Sequence, residues 1–148
     1  DYEARSNIMW CATIGLNTVT GLSKEQDWEV HMIEHQLGAY TDCAHGAGLA
    51  AISPAYYRYI CGFGAPKFVR FAENVWGIDT AAMTEAEACE AGICALEKFI
   101  AVLELPKTLR ELGATEDMLR KIADSTVPGG GYKNMSASDI LTVLKQCF

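Results

Sequence analysis

Along nearly the whole chain, apolar residues recur at three- and four-residue steps rather than alternating. From Ser6 to Val19 the positions Ile8, Met9, Ala12, Leu16 and Val19 form one such stripe, predicting an amphipathic helix that Gly21 ends. A second segment, Gln26 to Tyr40, keeps Trp28, Met32, Ile33 and Leu37 in register. After the polar break Thr41-Asp42, a run rich in Gly and Ala begins at His45 and predicts a closely packed, buried helix reaching Tyr59. Pro66 suits a first helical position, and Lys67 to Trp76 follows it. Thr84-Glu85-Ala86-Glu87 reads as a capping box for a helix running to about Leu103. Thr108 to Leu112 predicts a short turn, and Thr115 opens a helix through Ala123. Ser136-Ala137-Ser138-Asp139 then caps a last helix over Ile140 to Gln146. Strand alternation and hairpin dipeptides are lacking, so the pattern predicts one all-α, multi-helix bundle.

Composition narrows the partners. Twelve Lys and Arg stand against 19 Asp and Glu, giving a net charge of −7, and the cations are scattered. Phosphate neutralisation needs the opposite balance, so neither nucleic acid nor an anionic membrane surface is an expected partner. No apolar run approaches the roughly 18 residues of a membrane span. The start, Asp1-Tyr2-Glu3-Ala4-Arg5, lacks the pattern of a secretion signal. The six cysteines form no CxxC pair, which suits reduced thiols in a cytoplasmic protein better than a disulfide framework.

The candidate chemistry is concentrated. All three histidines fall within fifteen residues, as His31-Met32-Ile33-Glu34-His35 and then His45. His31 and His35, four apart on a helix, point to one face roughly 6 Å apart along the axis. His45 opens the next helix and can fold back beside His31. A divalent metal is the chemistry this spacing suggests, but Met32 follows His31, so the HExxH protease motif is not present. Two imidazoles are too few for a catalytic site, which usually takes three or more protein ligands. Glu34, Asp42 and Cys43 are the local candidates to complete it, Glu34 being equally readable as a solvated charge. Trp28, Leu49, Ile52 and Tyr56 are candidate pocket walls, although ordinary core packing accounts for each more simply.

The stretch Asp27-Trp28-Glu29-Val30-His31-Met32-Ile33-Glu34-His35-Gln36-Leu37-Gly38-Ala39, with His45-Gly46-Ala47-Gly48-Leu49-Ala50 and Pro54 after it, resembles the signature of the iron-dependent (group III) alcohol dehydrogenases. The similarity is greatest to the butanol dehydrogenase and NADPH-dependent aldehyde reductase branch. It extends to the approach Asn7-Ile8-Met9-Trp10-Cys11-Ala12-Thr13 and to Phe71-Ala72-Glu73-Asn74-Val75-Trp76-Gly77-Ile78. The resemblance implies the C-terminal helical domain of the dehydroquinate synthase-like fold. It also implies an N-terminal nucleotide-binding domain, expected to lie outside this chain, and a metal held in the cleft between the two. His31 and His45 match two of the family's three histidine ligands; the third histidine and an Asp are expected upstream of Asp1. His35 matches a non-ligand histidine that faces the nicotinamide and relays a proton. The implied cofactors are Fe²⁺ or Zn²⁺ and NAD(P)H, the latter held mainly by the N-terminal domain. The implied substrate is a small alcohol or aldehyde, and the assembly a homodimer or larger.

Gly129-Gly130-Gly131 lacks the preceding strand and following helix of a dinucleotide loop, and reads as a flexible connector. Two other functions compete. One is a non-catalytic helical domain for protein association or weak metal binding. The other is a zinc-using relative of the glycerol dehydrogenases, against which the Trp28 to Ala39 match argues.

Overall fold

A computed structural model describes residues 1–148. Seven α-helices follow one another: α1 (Tyr2–Leu16), α2 (Glu29–Thr41), α3 (His45–Ile60), α4 (Ala65–Trp76), α5 (Glu85–Val102), α6 (Glu116–Ser125) and α7 (Ala137–Gln146). Short 3₁₀ turns occupy Val19–Gly21 and Cys61–Phe63. The chain has no strand, only an isolated antiparallel bridge between Asp27 and Gly130. The all-α expectation therefore holds.

Capping chemistry sets the boundaries. Thr84 accepts from the Glu87 N–H at 3.3 Å while the Glu87 carboxylate accepts from the Thr84 N–H at 2.8 Å, the reciprocal box expected there. Ser136 and Asp139 make the same pair at 3.2 and 2.9 Å. The cap residue is thus Ser136 alone, and α7 starts at Ala137 rather than at Ile140. α2 starts at Glu29, three residues later than the apolar pattern suggests. The Asp27 carboxylate accepts from the Glu29 N–H at 3.0 Å, which holds the preceding residues outside the helix.

α3 lies at the centre and packs against α2, α5 and α7, with α4 laid on α5 and α6 on both α7 and α2. Ile33 and Leu37 of α2, Ile52 and Tyr56 of α3, Leu119 and Ile122 of α6, and Ile140, Val143 and Leu144 of α7 are all essentially sealed from solvent. Burying each such side chain contributes about 1.5–3 kcal/mol relative to leaving it exposed. Tyr56 takes its hydroxyl inside with it and donates to Asp27 Oδ2 at 2.8 Å. Arg58, near the end of α3, clamps α5 through Glu90 at 2.8 Å and Glu97 at 2.7 Å.

α1 departs from expectation. The helix forms, but none of its residues is buried, and Ile8, Met9, Trp10 and Leu16 are all more than 60% exposed. Its main contact is with the 3₁₀ turn that follows it, and it packs against none of the other helices to any extent. All six cysteines are unpaired; burial pushes the Cys147 thiol up to about 12. No helix is long and apolar enough to cross a membrane.

Candidate metal centre

Three residues, Asp42 to Ala44, join α2 to α3. Asp42 adopts a left-handed backbone (φ 54°) and donates its N–H to Gly38 O at 2.8 Å, ending α2 and turning the chain. His45 consequently opens α3 directly beside the face of α2 that carries His31 and His35. The ring centroids stand 6.4 Å apart for His31 and His35, 5.4 Å for His31 and His45, and 5.5 Å for His35 and His45. Trp28 packs edge-on against His31 at 4.9 Å. His35 is exposed, and the His45 side chain is 52% exposed, so the three imidazoles meet at an open rim and not inside the core.

All three histidines singled out in the sequence come together here. The group of donor atoms within metal-binding reach is nevertheless Glu34, His35 and His45, all within 4.8 Å of one another, and it does not include His31. Asp42 and Cys43 do not join that group. Glu34 is not a solvated charge: it is 2% exposed, and its carboxylate is in hydrogen-bond contact with His45 Nδ1. Position 34 falls on the Val30, Ile33 and Leu37 stripe that α2 turns toward the core, a signal that carries meaning only once its partner is known. Burial pushes the His31 pKa down, and the neighbouring His45 and His35 push it the same way, partly opposed by Glu34. That direction favours neutral imidazole, the form that binds metal.

Glu29, two residues before His31, is fully buried. Its Oε2 accepts from the Gly129 N–H at 2.7 Å, while Trp28 donates its N–H to Gly129 O at 3.1 Å. Burial raises the Glu29 pKa, offset in part by that amide. The Gly129–Gly131 segment is therefore no flexible connector. It is pinned to the start of α2, with Gly130 and Gly131 at φ 86° and 94°, and a Cβ on Gly131 would fall 2.3 Å from Asp27 Oδ2.

A cavity of about 410 Å³ opens beside His31, walled mainly by Val30, Leu49, Tyr56, Tyr57 and Phe68. Of the four wall candidates from the sequence, Leu49 and Tyr56 line it, Trp28 covers His31 instead, and Ile52 belongs wholly to the core. A larger groove of about 750 Å³ between α3, α5 and the end of α7 contains none of the histidines. Imidazoles on an accessible rim, with a carboxylate behind them, form a donor set that suits Fe²⁺ and Zn²⁺ alike.

Comparison with known proteins gives this geometry a context. The family model described as "Fe-containing alcohol dehydrogenase family, C-terminal" matches residues 1–148. NADH-dependent butanol dehydrogenase B of Clostridium acetobutylicum is 38% identical over 152 residues, covering 99% of this chain and 39% of that protein. The NADPH-dependent aldehyde reductase YqhD of Escherichia coli is 34% identical over 113 residues, covering 76% of this chain and 29% of that protein. Among solved structures, NADH-dependent butanol dehydrogenase A of Thermotoga maritima superposes with a TM-score of 0.89 at 31% identity, over 99% of this chain and 39% of that one. The chain thus spans about 39% of the length of the relatives that match it end to end.

Proposed function

Because this chain belongs to the iron-containing alcohol dehydrogenase family, as its C-terminal helical domain, we propose that His31 and His45 hold a divalent metal for alcohol–aldehyde interconversion with NAD(P)H. The observation that carries this reading is the meeting of three imidazoles on one solvent-open rim, drawn from two helices that the Asp42–Ala44 turn brings together.

Neutral imidazoles at His31 and His45 would hold Fe²⁺ or Zn²⁺, which when bound supplies Lewis-acid polarisation of the carbonyl or stabilisation of the alkoxide. His35, exposed and 5.5 Å from His45 between centroids, takes the proton-relay role and stands where it can orient the nicotinamide. The cavity beside His31 offers an apolar wall for the carbon chain of a small alcohol or aldehyde. The remaining metal ligands and the dinucleotide site are assigned to an N-terminal nucleotide-binding domain outside these residues. The pinned conformation of Gly129–Gly131, against the start of α2 and not at a helix N-terminus, is in keeping with that division. A homodimer or larger assembly and a cytoplasmic setting, suited to six unpaired thiols, complete the proposal.

The test is metal analysis together with aldehyde-dependent NAD(P)H oxidation, on the protein as its gene encodes it. His31→Ala and His45→Ala should lose metal and activity together. His35→Ala should keep the metal and mainly lower turnover. The Glu34, His35 and His45 grouping supports a second assignment, in which His35 replaces His31 as a ligand. Metal lost from His35→Ala and retained by His31→Ala would establish it in place of the first.

A further inference from the structure

We propose that Glu34 is a positioning residue. Its buried carboxylate fixes the proton of His45 on Nδ1 and so presents Nε2, on the solvent side, as the metal-binding nitrogen. This rests on the reading of the rim as a metal centre, but the state of the ring can be measured without any metal.

Several observations converge. A carboxylate is unusual on the core-facing stripe of an amphipathic helix, because burying a charge is costly unless a partner compensates it. Glu34 has such a partner, His45 Nδ1, eleven residues along the chain. An ionised carboxylate can only accept hydrogen bonds, so the ring nitrogen facing it must carry the hydrogen. The other ring nitrogen is left free on a side chain half open to solvent, while Glu34 itself is sealed at 2% exposure.

α3 makes room for this contact. A Cβ on Gly48 would lie 2.6 Å from Glu34 Cγ and 2.8 Å from Oε1, so the carboxylate arm occupies the space that a side chain would fill. Swinging the arm out would leave that space empty. Co-ligation of one ion by Glu34 and His45 is the competing arrangement, and Glu34→Gln separates the two. A ligating histidine whose second nitrogen donates to a carboxylate is held in one tautomer and made more basic.

The experiment records imidazole proton–nitrogen correlation spectra of the metal-free protein as its gene encodes it, at a pH where the rings are neutral, and then titrates cobalt(II). In the unaltered chain His45 should be the Nδ1–H form. Glu34→Ala should release it to the Nε2–H form that free imidazole prefers, leaving His31 and His35 in their original forms. Glu34→Gln, whose amide can donate as well as accept, should populate both forms; being nearly the same shape, it also guards against misfolding of the alanine variant. Cobalt(II) affinity should fall about 10–100-fold in Glu34→Ala and by less in Glu34→Gln. His45 protonated on Nε2 in the unaltered chain, or an unchanged His45 spectrum in both variants, would overturn the assignment. So would equal cobalt(II) affinity in all three proteins, or a loss in Glu34→Gln as deep as in Glu34→Ala, which would make the carboxylate itself a ligand. If the unaltered protein, as its gene encodes it, binds no cobalt(II) yet shows the Nδ1–H form, the metal reading falls and the Glu34–His45 assignment stands.

Discussion

Two glycines in the first turns of α3, Gly46 and Gly48, should respond in opposite directions to the same substitution. Alanine is the better helix former by about 1 kcal/mol in a helix interior. At Gly46 a new Cβ meets nothing within 4 Å, so Gly46→Ala should be neutral or stabilising by a few tenths of a kcal/mol, up to about 1 kcal/mol. At Gly48 the Cβ would approach Glu34 Cγ to 2.6 Å, Oε1 to 2.8 Å and Cδ to 3.1 Å, against about 3.5–4 Å for ordinary carbon contacts. Forcing extra volume into a packed site costs about 1–3 kcal/mol. Displacing Glu34 also disrupts a charge-assisted hydrogen bond worth about 1.5–3 kcal/mol, and the half-exposed His45 places that contribution at the low end. The gain in helix propensity is common to both variants and cancels, so Gly48→Ala should be about 2.5–4.5 kcal/mol less stable than Gly46→Ala. Urea unfolding followed by circular dichroism measures the gap as a shift in midpoint at constant slope. Coincident unfolding curves for the two variants would refute the view that Gly48 exists to house Glu34.

Two further predictions concern the frame around the rim. Lys133, Tyr59 and the Ser136 amide hold the Asp139 carboxyl well below the usual carboxylate range. A depressed acid stabilises the fold above its unfolded value, near 3.8, and loses that contribution as pH falls toward the folded value. Asp139→Asn should therefore cost about 1–2 kcal/mol at neutral pH, and the difference from the unaltered chain should shrink in acid unfolding series below about pH 4; a constant difference would contradict the assignment. Tyr56→Phe removes the sealed hydroxyl that donates to Asp27, the carboxylate capping α2, and should lower thermal or urea stability by about 2 kcal/mol.

Much of this architecture could be read from the residues. The apolar periodicity placed six of the helices within a few positions of their ends, and the capping box at Thr84 stands as expected. The boundaries that moved did so for local reasons the periodicity does not encode. Asp27 caps α2 from outside the helix, and Ser136 counts as cap while its three followers count as helix. The three-histidine convergence followed from helical spacing and a short turn. The buried roles of Glu29 and Glu34 did not, because a charged residue on an apolar stripe declares itself only when its partner is known. Those partners are Gly129, a hundred residues on, and His45, across the turn. The triple glycine misled for the same reason: its composition suggests mobility, while its contacts with Trp28 and Glu29 fix it. α1 shows the converse. A helix forms there as the apolar spacing predicts, yet its apolar residues gather into no marked face and none is buried.

The three-residue junction between α2 and α3 acts as a phase setting. A three-residue link has little slack to absorb a change of length, so one residue inserted or removed between Asp42 and Ala44 would shift the start of α3 relative to α2 and move His45 off its neighbours. Substitution there is tolerable wherever the left-handed conformation at position 42 survives, as asparagine or glycine would allow. The arithmetic of the junction admits no such latitude: what it transmits is a count, and its chemistry is incidental.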